Sequence, residues 1–351
     1  MISSSIQTVN LSVPSRILKP AEIYRFSVLL FWLLALVGLV NAQTEKTADH
    51  EVVISGVVDN IVIGTGDTIR ITGTVKQGAI AFGSDVIVEG SVEGDVAAIG
   101  VAIPGLVNRQ TDRVIAPRDL PSTSVHDLHG ALSRATGLRV ELENDANAAA
   151  YGEFKVGAGL GSRNLFYMMI GNGIGGAIIL DGKLWTGASG FAGEVGHITI
   201  DTEGLECVCG NTGCLETVAS APSIVRRARE RLNRDGTSSL SRLALNKSFT
   251  AEDVAQQAKE GDDFALMMIE RTGKYIGTGV ASVINLLNIE RIVLGGGVMD
   301  AGTLILNPII HEVKRRAFQP CFEATEIVAA KLGLDGAPIG AAMLARDAHT
   351  V

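Results

Sequence analysis

The sequence is poor in cysteine, in aromatic residues and in net positive charge. Its formal net charge of −8 argues against a nucleic-acid partner, because phosphate backbones are bound by basic surfaces. Aromatic residues make up only 5% of the chain, whereas it contains 41 glycines and is 46% hydrophobic. This composition excludes a disordered chain and is typical of a glycine-rich α/β or β-repeat protein. With 351 residues, the chain is long enough for two or three domains with cores of their own.

Three of the four cysteines lie within eight residues of one another. Cys207, Cys209 and Cys214 follow His197, which lies ten residues before the first of them. A Cys₃His set has the number and type of ligands of a tetrahedral zinc site, and a closed set predicts a structural Zn²⁺. A disulfide is the alternative that an exported chain would allow. A bridge between Cys207 and Cys209 would close a strained ring, and Cys321 is the only other partner, so zinc is favoured.

The N-terminus carries a targeting segment. Basic residues precede fifteen apolar residues, Phe26–Val40, and small residues follow at the positions that a signal peptidase recognises. The apolar run is short for a bilayer span of about 20 residues. We therefore predict a signal peptide over residues 1–42 that is cleaved after Ala42, with an uncleaved membrane anchor at 26–40 as the alternative.

Residues 43–100 contain a repeat. The segments "VVISGVV", "IRITGTV" and "VIVEGSV" each place an aliphatic residue two positions before a glycine, and these glycines, Gly56, Gly73 and Gly90, are 17 residues apart. Short alternating strands with glycine corners at a fixed period are typical of a β-solenoid. An antiparallel meander would explain the alternation but not the period. The repeat resembles those of bacterial polymer-forming, bactofilin-like proteins.

The sequence changes character after Gly100. Apolar residues spaced at three and four predict a helix over 124–136, followed by a strand in "LRVELE" and an alanine-rich helix that starts after Asn144 and Asp145. A carboxylate at a helix N-terminus can be held beside a ligand. The alternative is that Asp145 only caps the helix.

Two glycine-rich turns follow predicted strands. The first lies in a hairpin within "NLFYMMIGNGIGGAIILDGKLW", and the second comes directly after a buried strand in "IERIVLGGGVMD". Exposed turn amides bind phosphate, and glycines at the carboxyl end of a strand let a nucleotide approach the backbone. Together with the carboxylate, the turns indicate nucleotide-dependent phosphoryl transfer. The candidate nucleotide-binding residues are Gly171, Gly173, Gly175, Gly176, Gly295, Gly296 and Gly297.

Four motifs resemble those of the ROK (repressor, ORF, kinase) family. They are "ENDANAAAYGE", "GNGIGG", "GEVGH" and "CVCGNTGCLETVAS", in this order and spacing. The resemblance runs from about residue 101 to the C-terminal "GAPIGAAMLA" and is closest to the zinc-containing bacterial glucokinases. It implies an α/β protein with the actin-like ATPase (ribonuclease H-like) fold, in which two lobes surround a cleft.

The resemblance also implies roles for individual residues. Asp145 matches the base that takes the proton from the sugar hydroxyl, and His197 would serve both metal and sugar. The sugar-binding set it implies is Gly105, Asn144, Asp145, Glu194, His197 and Glu216. The turn at 171–176 matches the second phosphate-binding turn of the family, and the turn at 295–297 matches the adenosine turn.

The chain departs from the family pattern in two ways. Kinases of the family begin with a hairpin that carries Asp-x-Gly-Gly-Thr, and this motif is absent from the sequence, while Asn172 stands where the family usually has threonine. We therefore expect an incomplete N-terminal lobe in a kinase region over 101–351, preceded by the solenoid at 43–100. The two regions also predict different cellular locations. The targeting segment predicts export or a membrane, whereas the kinase region implies the cytoplasm.

The resemblance predicts an ATP-dependent hexose kinase that uses Mg²⁺ with ATP, with glucose favoured as the acceptor. The alternative is a catalytically inactive sugar-binding or surface-assembly protein, in which the solenoid assembles and the truncated lobe binds sugar. A repressor would need a helix-turn-helix and a basic surface, and neither is found in the sequence. Family members commonly form homodimers, so we expect one here.

Overall fold

The computed structural model describes the backbone of nine short strands before residue 93 and most of the chain from residue 98 onward. The described ranges are 43–46, 51–55, 57–58, 62–65, 68–71, 74–75, 79–82, 85–88, 91–92, 98–108, 111, 113–115, 127–232, 238–246 and 248–349. The predicted signal peptide and anchor at 1–42 lie outside them. Within these ranges, no helix is long and apolar enough to cross a membrane. The chain divides into two compact units, residues 1–99 with 132–139, and residues 100–131 with 140–351.

The first unit contains strands that pair at a fixed offset. They are β1 Gln43–Lys46, β2 Glu51–Ser55, β3 Val57–Val58, β4 Val62–Thr65, β5 Thr68–Ile71, β6 Thr74–Val75, β7 Ala79–Phe82, β8 Asp85–Val88 and β9 Ser91–Val92. β2, β5 and β8 pair in parallel, with Glu51 opposite Thr68 and Thr68 opposite Asp85. The parallel ladder thus follows the 17-residue spacing of the sequence, while the β-solenoid itself stays a prediction.

The second unit is built on a five-stranded sheet. The strands from residue 98 onward are β10 Ala98–Ile103, β11 Leu106–Asn108, β12 Arg113–Ile115, β13 Arg139–Asn144, β14 Leu165–Ile170, β15 Ile174–Leu180, β16 Lys183–Trp185, β17 Arg291–Gly295 and β18 Glu326–Ala329. The sheet order is β16-β15-β14-β17-β18, in which β14, β17 and β18 run parallel and β15 and β16 complete antiparallel hairpins. β10 pairs with β13, and β11 pairs with β12.

Helices follow and flank these strands. They are α1 Leu128–Thr136, α2 Asp145–Val156, α3 Glu216–Ala219, α4 Ala221–Leu232, α5 Ser239–Asn246, α6 Ala251–Lys259, α7 Asp263–Leu287, α8 Thr303–Arg316, α9 Gln319–Glu323 and α10 Gly336–His349. Helix α8 begins at Thr303, and the buried Ile305 is part of its apolar face. Pro308 lies within α8 and packs closely against α7, where a Cβ added to Gly273 would lie 2.8 Å from the Pro308 Cβ.

Both faces of the five-stranded sheet are buried. In β14, Phe166, Met168 and Ile170 face a core shared with α4, α6, α7 and α8, whereas Leu165 and Tyr167 face a smaller core with α2 and α10. This alternation follows from the period of two of a β-strand. A strand buried on both faces reads as a continuous apolar run, which is how "LFYMMI" appears in the sequence.

Helices α2 and α10 pack with their backbones unusually close. A Cβ added to Gly340 would lie 1.6 Å from the carbonyl oxygen of Ala148, and one added to Gly152 would lie 2.6 Å from the carbonyl oxygen of Gly336. Only glycine fits at such approaches, so Gly152 and Gly340 allow the two helices to make this contact. This contact holds the helix whose first residue is Asp145.

Candidate active site and metal centre

The N-terminus of α2 is capped by Asn144 and not by Asp145. The Asn144 backbone is extended, and its Oδ1 accepts hydrogen bonds from the backbone N–H groups of Ala146 at 2.9 Å and Asn147 at 3.1 Å. The N-cap position thus belongs to Asn144, while Asp145 Oδ1 also accepts from the Ala146 N–H at 2.9 Å. Asp145 is the first helical residue, where the helix dipole and the unpaired amides stabilise a negative charge.

Asn144 also ties a second loop to this helix end. Its Nδ2 donates to the carbonyl oxygen of Gly105 at 2.9 Å, although the two residues are 39 positions apart. Gly105 has a φ of +117°, in the region that only glycine adopts readily. The structure thus brings together Gly105, Asn144 and Asp145 of the predicted sugar-binding set.

Two polar residues beside this helix end were missed in the sequence analysis. Glu143 and Asn147 are each 4% exposed, and Glu143 Oε1 accepts from the Asn144 backbone N–H and from Asn147 Nδ2, both at 2.9 Å. Buried polar groups are costly unless they are hydrogen-bonded, so this pair fixes the turn that presents Asp145. Polar side chains on both sides of "NDA" were the signal that could have revealed them.

The first glycine turn joins β14 to β15 and packs against the same helix end. Gly171 N–H donates to the carbonyl oxygen of Gly173 at 2.9 Å, which closes the turn. A Cβ on Gly175 would lie 3.0 Å from the Cβ of Ala146, so the turn directly contacts the residue after Asp145. A side chain on Gly175 would push the two apart.

The segment with Glu194 and His197 crosses the start of β15. A Cβ on Gly196 would lie 2.1 Å from the carbonyl oxygen of Ile174, and one on Gly176 would lie 2.5 Å from the carbonyl oxygen of Gly193. Because these backbones touch, the short 3₁₀ turn Val195–His197 is held directly over the glycine turn.

Glu216 reaches the same strand from the other side. It is 8% exposed, and its Oε2 accepts a hydrogen bond from the backbone N–H of Ile174 at 2.7 Å. The start of α2 at Ala146, the 193–197 segment and the Glu216 carboxylate therefore all contact Ile174–Gly176, which brings the segments of the predicted sugar-binding set together.

The second glycine turn lies next to the first. A Cβ on Gly296, whose φ is +89°, would lie 2.3 Å from the carbonyl oxygen of Ile170, the last residue of β14. One on Gly295 would lie 2.3 Å from the Tyr167 hydroxyl. Burial raises the pKa of Tyr167 well above its usual value, and nearby carboxylates, including Asp145, add to the effect, so this hydroxyl remains protonated. Both turns thus occupy the carboxyl ends of the neighbouring parallel strands β14 and β17.

The four predicted metal ligands form one cluster. The ligand atoms of His197, Cys207, Cys209 and Cys214 all lie within 4.8 Å of one another. His197 Nδ1 is 3.5 Å from Cys207 Sγ, and Cys209 Sγ is 3.7 Å from Cys214 Sγ. Tetrahedral zinc with its usual bond lengths separates its ligands by about 3.5–3.8 Å. The donor set and its spacing therefore fit Zn²⁺.

Two further features of the cluster concern how it would hold a metal. Burial raises the pKa of the Cys214 thiol to about 12, so a bound metal would be needed to stabilise its thiolate. His197 turns Nδ1 toward Cys207 and Nε2 toward Glu194, whose Oε2 lies 3.8 Å away. A metal ligand that contacts a carboxylate through its second ring nitrogen is a common arrangement in metal sites.

A scan against protein families matches residues 85–348 to the ROK family. The chain belongs to the ROK family. The match begins within the first compact unit, ahead of the boundary expected at residue 101. The glucokinase of Halalkalibacterium halodurans is 39% identical over 72% of this chain and 77% of its own length. The xylose repressor of Bacillus subtilis, also similar, is 29% identical over 71% of this chain and 61% of its own length.

A solved structure supports the fold. The ROK glucokinase of Streptomyces griseus, crystallised in complex with glucose and AMPPNP, is 34% identical and superposes with a TM-score of 0.65 over 72% of this chain and 83% of that chain. The predicted α/β sugar-kinase fold of the actin-like ATPase type is thereby confirmed for the region that the match covers. ROK proteins thus include both kinases and repressors, and the assignment within the family depends on the site.

Proposed function

We propose that this ROK protein phosphorylates a hexose with ATP, with glucose as the favoured acceptor. The observation that supports the proposal is that the segments carrying Asp145 and the 194–197 residues, together with the Glu216 carboxylate, contact one three-residue stretch, Ile174–Gly176, beside two glycine turns. The similarity to glucokinases supports it, as does the binding of glucose and AMPPNP by the related enzyme of Streptomyces griseus.

Each part of the site has a chemical task in this reaction. Phosphoryl transfer depends on positioning and on neutralising charge, because the protein takes little part in the bond changes. Asp145 would accept the proton of the attacking sugar hydroxyl, as a base held at a helix N-terminus. Asn144, Glu194, His197, Glu216 and the Gly105 backbone would orient the sugar, and the two glycine turns would receive the phosphates and the adenosine. Mg²⁺ that enters with ATP would neutralise the phosphate oxygens.

The zinc site would have a structural task. Its closed ligand set leaves no position for a substrate. Cys214 lies two residues before Glu216, and His197 is itself in the sugar-binding set, so a metal that fixes both would order the sugar-binding loop. Zinc in this role acts through the residues that it holds and takes no part in the chemistry.

The alternative is a catalytically inactive sugar-binding or assembly protein. It is favoured by the absence of Asp-x-Gly-Gly-Thr from the sequence and by Asn172 in place of threonine. In this alternative, a solenoid at 43–100 would be the assembling part, ahead of a kinase-like region at 101–351. On this view the chain would consist of a targeting segment at 1–42 and two inherited modules.

Turnover of the full-length protein decides between the two. We expect ADP release with MgATP and glucose in a coupled assay, and a loss of about 10²–10⁴-fold in kcat for Asp145→Asn, because a neutral amide cannot act as the base. Asp181→Asn is the matched control, since Asp181 is an exposed residue at the far end of β15. Asp145→Asn with undiminished turnover would exclude Asp145 as the base. A folded, zinc-loaded wild type without turnover would favour the inactive alternative.

A further inference from the structure

Glu216 contacts the glycine turn as well as belonging to the sugar-binding set. It is the first residue of α3 and is 8% exposed. Its Oε2 accepts a hydrogen bond from the Ile174 backbone N–H at 2.7 Å, across 42 positions of sequence. Ile174 directly follows Gly173, in the middle of the turn proposed to receive phosphate. No property of the sequence alone links these two residues.

Both backbone polar groups of Ile174, the first residue of β15, are in contact with other segments. The N–H of Ile174 points to Glu216, and its carbonyl lies against Gly196, where an added Cβ would be 2.1 Å away. The other end of the turn is tied as well, since the N–H of Ala221 donates to the carbonyl oxygen of Gly171 at 2.8 Å. The first residues of α3 and α4, Glu216 and Ala221, thus form hydrogen bonds with Ile174 and Gly171 at the two ends of the turn.

Glu216 is itself firmly placed. Its backbone carbonyl accepts from Ser223 Oγ at 2.9 Å and from the Ser220 N–H at 3.3 Å. Two residues earlier, Cys214 belongs to the metal cluster. The carboxylate is therefore held in a fixed position beside the turn, because residues before and after Glu216 are themselves held by other contacts.

We propose that Glu216 is a positioning residue for the nucleotide, in addition to its role toward the sugar. The inference rests on the proposed kinase function. A turn that binds phosphate through its amides needs those amides preorganised, and Glu216 sets the direction of the turn where it enters β15. Because one carboxylate then serves both ligands, sugar and nucleotide binding are energetically coupled, and the coupling is reciprocal.

Two conservative variants separate the reach of the side chain from its charge. Glu216→Asp keeps the charge but withdraws the carboxylate by one methylene from Ile174 N–H. Glu216→Gln keeps the length and an oxygen that can accept the same hydrogen bond. Glu194→Gln is the matched control, because Glu194 belongs to the sugar-binding set while its segment meets β15 through the backbones of Gly193 and Gly196.

The measurement is the affinity for MgAMPPNP without sugar, by isothermal titration calorimetry on the full-length, zinc-loaded proteins. We expect Glu216→Asp to weaken nucleotide binding about tenfold, since a hydrogen bond to a charged acceptor is worth that order. Glu216→Gln and Glu194→Gln should stay within about threefold of wild type, although both should bind glucose more weakly.

The outcomes are distinct. Nucleotide affinity unchanged in Glu216→Asp, or reduced only in Glu216→Gln, would overturn the positioning role while leaving the kinase proposal intact. If Glu216→Asp fails to fold, Glu216→Ala takes its place, and a nucleotide affinity equal to that of the wild type would overturn the positioning role. A folded wild type that binds no MgAMPPNP would overturn the kinase proposal and this inference with it.

Discussion

Replacing Glu153 with glutamine should destabilise the second compact unit, residues 100–131 with 140–351. Glu153 lies two turns after Asp145 on α2 and is 1% exposed. Its Oε2 accepts from the Ala158 N–H at 2.6 Å, and its Oε1 accepts from the N–H groups of Lys331 at 2.8 Å and Leu332 at 2.7 Å. Both oxygens are used, so the side chain joins the end of α2 to the segment after β18.

The expected cost follows from this geometry. In Glu153→Gln, the amide oxygen of the new side chain can replace Oε1, but its NH₂ group would then face the N–H of Ala158, donor against donor. The loss of one hydrogen bond to a carboxylate, together with an unsatisfied buried N–H, amounts to about 2–4 kcal/mol. For a unit of this size that lowers Tm by about 5–15 °C.

Glu290 provides the matched control. Its Oε1 alone accepts the backbone N–H groups of Arg163, at 2.6 Å, and of Asn164, and the residue is exposed. Glutamine keeps that oxygen, and water reaches the site, so Glu290→Gln should cost less than about 1 kcal/mol. Urea unfolding followed by circular dichroism compares the two variants. Equal losses of unfolding free energy, or none for Glu153→Gln, would refute the reasoning from burial and from the use of both oxygens.

Two further predictions concern the metal and the pH dependence of stability. Cys214→Ser should lower the bound zinc from about one ion per chain to near none, as measured with a metal-binding dye, whereas Cys321→Ser, which lies outside the cluster, should keep it. Burial opposes ionisation of Asp347, but hydrogen bonds from Lys155 and Tyr151 outweigh it and hold its pKa at about 2. The folded pKa lies below the unfolded value of about 4, so the stability gained over Asp347→Asn should be present above pH 4 and vanish as the pH falls toward 2.

The local sequence was a good guide wherever a short-range rule applied. The run "LFYMMI", the glycines that follow it and the alanine-rich stretch after Asn144 predicted a strand, a turn and a helix, and all three are present. The cysteine spacing predicted the metal cluster, because its ligands lie on one short loop plus His197. The capping residue was less certain, since Asn144 and Asp145 are both good caps and only the backbone conformation distinguishes them.

Contacts between distant segments could not be predicted in this way. The hydrogen bonds from Asn144 to Gly105, from Ile174 to Glu216 and from Lys331 to Glu153 span 39 to 178 positions. No periodicity or propensity encodes such pairs. They depend on the order of strands in the sheet and on which backbones approach closely.

The sequence by itself therefore determined the kinds of chemistry available: a carboxylate at a helix start, glycine turns after strands, a Cys₃His set and a 17-residue repeat. All four features depend on residue type and on short-range spacing, which the sequence shows directly. Only the tertiary structure decided that the segments carrying these side chains meet at Ile174–Gly176, that Asn144 is the cap, and that Glu216 accepts a hydrogen bond from Ile174. The physical reason is the parallel pairing of β14 with β17, which places both glycine turns at one edge of the sheet. Close backbone approaches at glycines then allow the remaining segments to pack against that edge.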